Sequence, residues 1–324
     1  MAKQLAQERL ARDGSKVGAH WLGGIVPPVC TPLDGDGEVD TASLERHVEF
    51  LLQAGVSGLF MLGSSSEVAY LTDAQRDRVV EVAVVTASGQ VPVLAGAIDM
   101  TTARVVDQAL RAKKAGADAV VLTAPFYAQA GHPAEVKLHF RTVQDRVGLP
   151  LVAYDVPVAV HTKLNLGVVM ELAAEGVIVG LKDSSKDVAG LRELVARVRA
   201  LDMLSVLTGS EVVVDCAMFF GAHGAVPGLA NVDPHGYVAL YQCCRSGDWE
   251  AARDIQERLV RLSDIIRCGD PSKKGPNSSI IGGYKTALML RGIFANDFVG
   301  LPQIPLEAEE KASVRAVLER EGLL

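Results

Sequence analysis

Eight short apolar runs, at 25–30, 58–62, 91–95, 119–122, 149–153, 178–181, 204–207 and 224–226, recur along the chain, and a helix-like segment follows each. The runs are rich in Val, Leu, Ile and Ala and nearly continuous, as expected of strands buried on both faces of a parallel sheet. Between them, 43–54 places Leu44, Val48, Leu51 and Leu52 on one helical stripe. Thr72 or Asp73 is placed to cap a helix ending near Ala87. Segments 101–115, 134–146 and 187–200 have similar spacing, and Gly55 and Gly116 stand where helices end. Eight β-then-α units within roughly 220 residues favour a closed barrel over an open, doubly wound sheet. The first run leads into Thr31-Pro32-Leu33-Asp34-Gly35, which is not the glycine-rich phosphate turn of an open sheet.

The expected fold class is therefore α/β, a (β/α)8 TIM barrel with a C-terminal helical appendix. The barrel is expected over 21–232 and the packed helical region over 233–324. Helices are expected near 234–246, 248–267, 281–291 and 305–321, interrupted by a Gly/Pro/Ser/Lys stretch at 269–279. Residues 1–20 read as an N-terminal extension, an extra amphipathic or frayed helix.

Composition removes several function classes. The 324 residues carry a formal charge of −7 and only 5% aromatics. Neither a basic footprint nor stacking platforms for nucleic acid are present. No apolar run approaches the ~20 residues of a membrane helix, and the opening MAKQLAQERLARDG is too polar for a signal-peptide core. Cys30, Cys216, Cys243, Cys244 and Cys268 form no C-x-x-C pair and no metal-ligand spacing. A cytoplasmic protein with reduced thiols and no metal is expected.

In a barrel of this kind the chemistry sits at the C-terminal ends of the strands. Four such ends carry polar residues: Gly63-Ser64-Ser65-Ser66-Glu67, Pro125-Phe126-Tyr127, Tyr154-Asp155-Val156-Pro157 and Gly180-Leu181-Lys182-Asp183-Ser184. A lysine near the end of a buried strand loses hydration, which favours the neutral amine that carbonyl addition requires. Taken alone, Lys182 fits either that nucleophile or a lysine that snorkels to the rim or pairs with Asp183. The serine-rich turn reads as a carboxylate cradle or an ordinary helix cap. Tyr154 reads as a proton relay or a structural hydroxyl.

The three segments in this order resemble the dihydrodipicolinate synthase/N-acetylneuraminate lyase superfamily of pyruvate-dependent class I aldolases. The resemblance runs from about Gly24 to the C-terminus. The family's G-[ST]-[ST]-G-E, Y-N-x-P and G-[IVL]-K-[DEQ]-[ST] patterns stand here at 63–67, 154–157 and 180–184. The resemblance implies that Lys182 forms an imine with a 2-oxo acid such as pyruvate and that Tyr154 relays protons over it. It further implies that Ser64 and Ser65 hold the substrate carboxylate, with Ser64 linked to the relay. Tyr127 matches a tyrosine that reaches into a neighbouring subunit's site, and Val226 a position lining the pocket through its backbone carbonyl. Implied partners are pyruvate, an aldehyde and three further copies of the chain in a homotetramer. No metal or organic cofactor is implied, because the imine is itself the electron sink.

Departures from the pattern bear on the second substrate. Ala159 stands where dihydrodipicolinate synthases carry the arginine that binds the carboxylate of aspartate semialdehyde. Losing a bidentate clamp is a large change, so lysine-pathway synthesis is not the expected main activity. Glu211, His161 and Thr162 read as candidates for holding substrate hydroxyls, or as solvated loop polarity. Together they favour a neutral aldehyde such as that from a 2-keto-3-deoxy sugar acid. A dehydratase, a synthase and a non-catalytic regulatory barrel are the alternatives. A phosphate-handling barrel is disfavoured by the acid in Gly209-Ser210-Glu211. Asp155 replaces the usual asparagine, and Ser66 replaces the cradle glycine, asking a non-glycine residue to fit a tight turn.

Overall fold

The computed structural model describes residues 21–128, 132–201 and 204–324. The expected N-terminal extension, residues 1–20, lies outside the described residues. Eight strands form one parallel sheet: β1 (Gly24–Ile25), β2 (Leu59–Met61), β3 (Val93–Gly96), β4 (Ala119–Leu122), β5 (Leu151–Asp155), β6 (Gly180–Asp183), β7 (Ser205–Thr208) and β8 (Gly224–Ala225). Their order, β1-β8-β7-β6-β5-β4-β3-β2, leaves β1 and β2 to meet and close the barrel. They meet at a parallel bridge, Pro28 with Phe60. There Phe60 N–H donates to Pro27 O at 3.0 Å and Val29 N–H to Phe60 O at 2.9 Å. The first strand is shorter than the expected 25–30 because Pro27 and Pro28 have no N–H to give a ladder.

Side chains alternate across the sheet with period two. Leu59, Met61, Leu122, Leu151, Ala153 and Val206 pack outward under the helices. Phe60, Leu94, Val121, Val152, Tyr154 and Leu207 turn inward and fill the barrel.

The helices follow local signals. Asp40 accepts from Ser43 N at the start of α1 (Thr41–Gln53). Thr72 and Gln75 form a reciprocal capping box at α2 (Asp73–Ala87). Next come α3 (Thr102–Ala115) and α4 (Pro133–Val147), then two helices after β5: α5 (Pro157–Val160) and α6 (Leu166–Ala174). α7 (Val188–Leu201) and α8 (Val214–Phe220) complete the barrel's outer layer.

Four more helices follow β8: α9 (Pro234–Ser246), α10 (Trp249–Leu262), α11 (Pro276–Leu290) and α12 (Ala308–Arg320). The expected helix over 248–267 is divided, since α10 tightens into a 3-10 turn at Ser263–Arg267. α11 starts within the stretch expected to be a break. Pro276 opens it at a position where a missing N–H costs nothing. Gly283 lets α11 approach that 3-10 turn so closely that a Cβ there would lie 2.3 Å from Ile265 O. Composition that reads as a loop is here the condition for burying a helix on nearly all sides. Cys30 and Cys244 are buried, while Cys216 is exposed.

Phe140 is fully buried among Val136, Val143 and Leu172. Phe140→Ala is expected to lower stability by about 3–5 kcal/mol in urea unfolding. Val85→Ala, at a position 76% exposed, should stay within ~0.5 kcal/mol.

Candidate active site

Tyr154 and Lys182 are register partners on adjacent strands β5 and β6. Both lie within the strands, because β5 and β6 extend about two residues past the apolar runs that announce them. The ladder therefore fixes their spacing, not a loop. Lys182 is 5% exposed. Its Nζ lies 4.1 Å from the Tyr154 ring centroid and 4.9 Å from that of Phe60, within the range of cation–π attraction. Asp183 does not pair with it; that carboxylate accepts from Ser185 N at 2.8 Å and Ser185 Oγ at 2.7 Å. Beneath Lys182, inward-facing Leu94, Val121, Leu207 and Val226 border a gap of about 10 Å³. That is at the lower limit for one water, in a wholly apolar setting.

Burial pushes the Tyr154 phenol up, but the Lys182 charge and hydrogen bonds with Ser64, Ser184 and Lys182 outweigh it, and the phenol sits below the ordinary tyrosine value. Ser64 Oγ is 3.5 Å from Tyr154 OH. A phenol so placed can give and take a proton beside the amine. Gly209, after β7, leaves room for the site: a Cβ there would lie 2.0 Å from Ser184 Oγ and 3.1 Å from Lys182 Cε, so a side chain would displace the serine hydroxyl and crowd the lysine.

The serine turn is held from below and behind. Gly63 N–H donates to Ser66 Oγ at 3.1 Å, and Ser66 Oγ donates to Val29 O. Left-handed backbone falls on Leu62 (φ 58°) and Glu67 (φ 60°) and not on Ser66. The residue that replaces the family's glycine is thus accommodated, and its hydroxyl ties the turn to the segment that follows β1. Ser65 is half-buried on the same turn.

Glu67 is fixed by a fully buried ion pair with Lys285 of α11. Its Oε1 also accepts from Gly300 N at 2.7 Å and Gln303 Nε2 at 2.6 Å, while Lys285 Nζ donates to Phe298 O at 2.7 Å. No sequence signal points to this group, because Glu67 and Gln303 lie 236 positions apart.

A cleft of about 280 Å³ opens beside the hydroxyls of Ser64 and Tyr154, with Ala159 on its border. The remaining sequence candidates fall elsewhere. Val226 joins the floor beneath Lys182. Glu211 Oε1 accepts from Leu229 N at 3.0 Å and Tyr284 OH at 2.7 Å. Burial raises its carboxyl, against the pull of those bonds. His161 is exposed, closes α5 in left-handed backbone (φ 55°) and does not border the cleft. Tyr127 is 90% exposed with φ 70°. Asp155 pairs with Lys163 and accepts from Leu164 N at 3.0 Å, pinning the segment just after α5, the short helix that carries Ala159. Burial raises its carboxyl, and Lys163 and Leu164 only partly offset this. No cluster of three metal-ligating side chains occurs among the described residues.

Known proteins resemble the chain over nearly its whole length. The profile of the Dihydrodipicolinate synthetase family matches residues 21–321. An uncharacterized DapA-like lyase of Halobacterium salinarum is 36% identical over 312 residues, 96% of this chain and 97% of that protein. The 4-hydroxy-tetrahydrodipicolinate synthase of Phenylobacterium zucineum is 32% identical over 303 residues, 93% of this chain and 98% of that protein. Among solved structures, YagE, a prophage protein of the dihydrodipicolinic acid synthase family from E. coli K12 in complex with pyruvate, superposes with a TM-score of 0.87. That match has 28% identity and covers 94% of this chain and 99% of YagE.

Two substitutions test how the site is held. Lys285→Met leaves the Glu67 carboxylate buried without its counter-ion and is expected to cost about 3–5 kcal/mol in urea unfolding. Asp155→Asn keeps an acceptor for Leu164 N without charge and should be at least as stable as the wild type at pH 7. A carboxyl raised in the fold favours folding while protonated. The wild type should therefore lose stability relative to Asp155→Asn as pH rises from about 4 through the raised value. Urea titrations at several pH values measure the difference, and the opposite sign would show that Lys163 outweighs burial.

Proposed function

The chain belongs to the dihydrodipicolinate synthetase family, and from that premise we propose that Lys182 forms the imine with pyruvate while Tyr154 moves protons over it. A Schiff-base-forming lyase of this kind joins pyruvate to an aldehyde or cleaves a 4-hydroxy-2-oxo acid. The observation that carries the residue assignment is the register pairing of Tyr154 with Lys182, which sets the amine against a phenol on an apolar floor.

Pyruvate docks with its carboxylate on Ser64 and Ser65. The free amine of Lys182 adds to C2, and the carbinolamine loses water with a proton relayed through Tyr154 and Ser64. The resulting protonated imine withdraws electrons from C3, so Tyr154 can remove a C3 proton to leave an enamine. The enamine C3 bonds to the aldehyde carbon, and Tyr154 returns the proton to the new alkoxide. Water then hydrolyses the imine, releasing product and amine. Cleavage is the same sequence reversed. The imine is the only electron sink used, so the cycle calls for neither metal nor organic cofactor.

Ala159 offers no carboxylate clamp, which supports an uncharged aldehyde over aspartate semialdehyde. Dehydration of a 2-keto-3-deoxy acid would share the imine half of the cycle. A non-catalytic barrel would have no use for the amine, phenol and serine as a set. Val226 is assigned to the pocket lining, and Glu211 to holding the loop after β8 through Leu229. His161 is left at the rim of that reading. Tyr127, a bulky aromatic exposed in left-handed backbone, supports a homotetramer in which it enters a neighbour's site. No helix of the described residues is long and apolar enough to cross a membrane, and a cytoplasmic site of action is part of the same proposal.

Borohydride reduction in the presence of pyruvate should leave a stable adduct, mapped by peptide mass to Lys182 and absent in Lys182→Ala. An adduct on another lysine, or none, overturns the assignment. Tyr154→Phe should lower kcat by roughly 10²–10⁴-fold, the usual contribution of a positioned proton-transfer group.

A further inference from the structure

The cleft beside Tyr154 has a lining that the imine chemistry does not require. Its wall is formed by Val68, Ile98, Phe126, Val156, Ala159 and Val160, drawn from the segments after β2, β3, β4 and β5. Val68, Val156 and Val160 are themselves buried, so the wall is set by packing. The one charged residue on the border, Glu67, has its carboxylate engaged by Lys285, Gly300 N and Gln303. Among the described residues no cationic group borders the cleft. The other polar side chains on the border are those of Ser64, Tyr70, Thr123, Tyr154 and Asn277. Ser64 and Tyr154 belong to the catalytic pair's side. Asn277 Nδ2 donates to Tyr70 OH at 3.3 Å and to Gln303 Oε1 at 3.1 Å. Thr123 Oγ1 is buried without a partner.

The groups that the sequence offered for holding hydroxyls do not reach this space. Glu211 is engaged by Leu229 and Tyr284, and His161 stays outside. A second carboxylate, carried by the aldehyde, would meet no counter-ion on this border, and a chain of hydroxyls along the apolar wall would lose hydrogen bonds to water that the wall does not return. The volume, about 280 Å³, is roughly twice the ~150 Å³ apolar cavity that takes up benzene. It has room for an aryl ring together with the pyruvyl group.

We propose that this cleft is the aldehyde subsite and that it selects an apolar aldehyde, aryl or branched alkyl, lacking both a carboxylate and a polyhydroxyl chain. The proposal rests on the Lys182 imine assignment. C3 of the pyruvyl enamine bonds to the aldehyde carbon, and the carbonyl π pair moves to oxygen. That oxygen takes up, through Tyr154, the proton that left C3. Hydrolysis returns the amine. Pyruvate and aldehyde thus combine without loss of atoms into a 4-hydroxy-2-oxo acid bearing an apolar group on C4.

The test is kcat/KM at saturating pyruvate for benzaldehyde, isobutyraldehyde, glyceraldehyde and aspartate semialdehyde, with borohydride trapping run in parallel. Benzaldehyde and isobutyraldehyde are expected to exceed the other two by at least ~10-fold. Ala159→Arg, at an exposed point of the border, should shift the ratio of aspartate semialdehyde to benzaldehyde upward by at least ~10-fold. If pyruvate is trapped on Lys182 but glyceraldehyde or aspartate semialdehyde is preferred, or neither apolar aldehyde reacts, the subsite proposal fails and the imine assignment stands. If pyruvate is not trapped, both fail.

Discussion

Side chains on successive residues of a strand point to opposite faces, and in a closed eight-stranded sheet one of those faces is the inside of a barrel. At β6 this sends Leu181 outward beneath the helices and Lys182 inward onto Phe60, Leu94, Val121 and Leu207. The amine cannot take a counter-ion from its neighbour, because Asp183 turns to Ser185. What faces it is the Tyr154 ring, directed inward from β5 by the same rule and fixed opposite by the ladder. The amine and the phenol are thus positioned by the backbone hydrogen bonds of adjacent strands, and sites carried on strands keep their geometry more precisely than sites on loops.

The helices after β8 are part of this arrangement. Consecutive residues of α11 reach two different loops on the catalytic face. Tyr284 bonds Glu211 in the loop after β7, and Lys285 pairs with Glu67 at the end of the serine turn. Glu67 sits in left-handed backbone, a conformation that a glutamate holds only when its surroundings over-determine it. Lys285, Gly300 and Gln303 supply that determination. The shape of the serine turn therefore depends on a helix more than two hundred residues later in the chain.

Much of this was legible beforehand. The barrel followed from the repeat of apolar runs and helical stripes, and Thr72 at the head of α2 was readable from local capping chemistry. Lys182, Tyr154 and Ser64 stood out because polar residues at strand ends break an apolar pattern. Strand ends were less legible, since Tyr154 and Lys182 lie inside ladders that continue beyond the apolar runs. The start of α11 was hidden because Gly, Pro and Ser read as a break, whereas here they permit close packing. Ser66 was a concern for the turn, yet the left-handed positions are Leu62 and Glu67, which no residue preference marks.

By itself the sequence determined the parallel barrel and the residue types on its catalytic face, because periodicity and strand-end polarity are local properties. Through its motifs it also pointed to Lys182 as the candidate for imine formation. The tertiary structure alone decided which of those polar residues face one another. It drew Glu211 onto Tyr284, left His161 outside, and lined the space beside Tyr154 with side chains from the segments after four separate strands and from α11. Residue type fixes what a group can do. Which groups share a cavity depends on contacts between segments far apart in the chain, and those exist only once the barrel has closed.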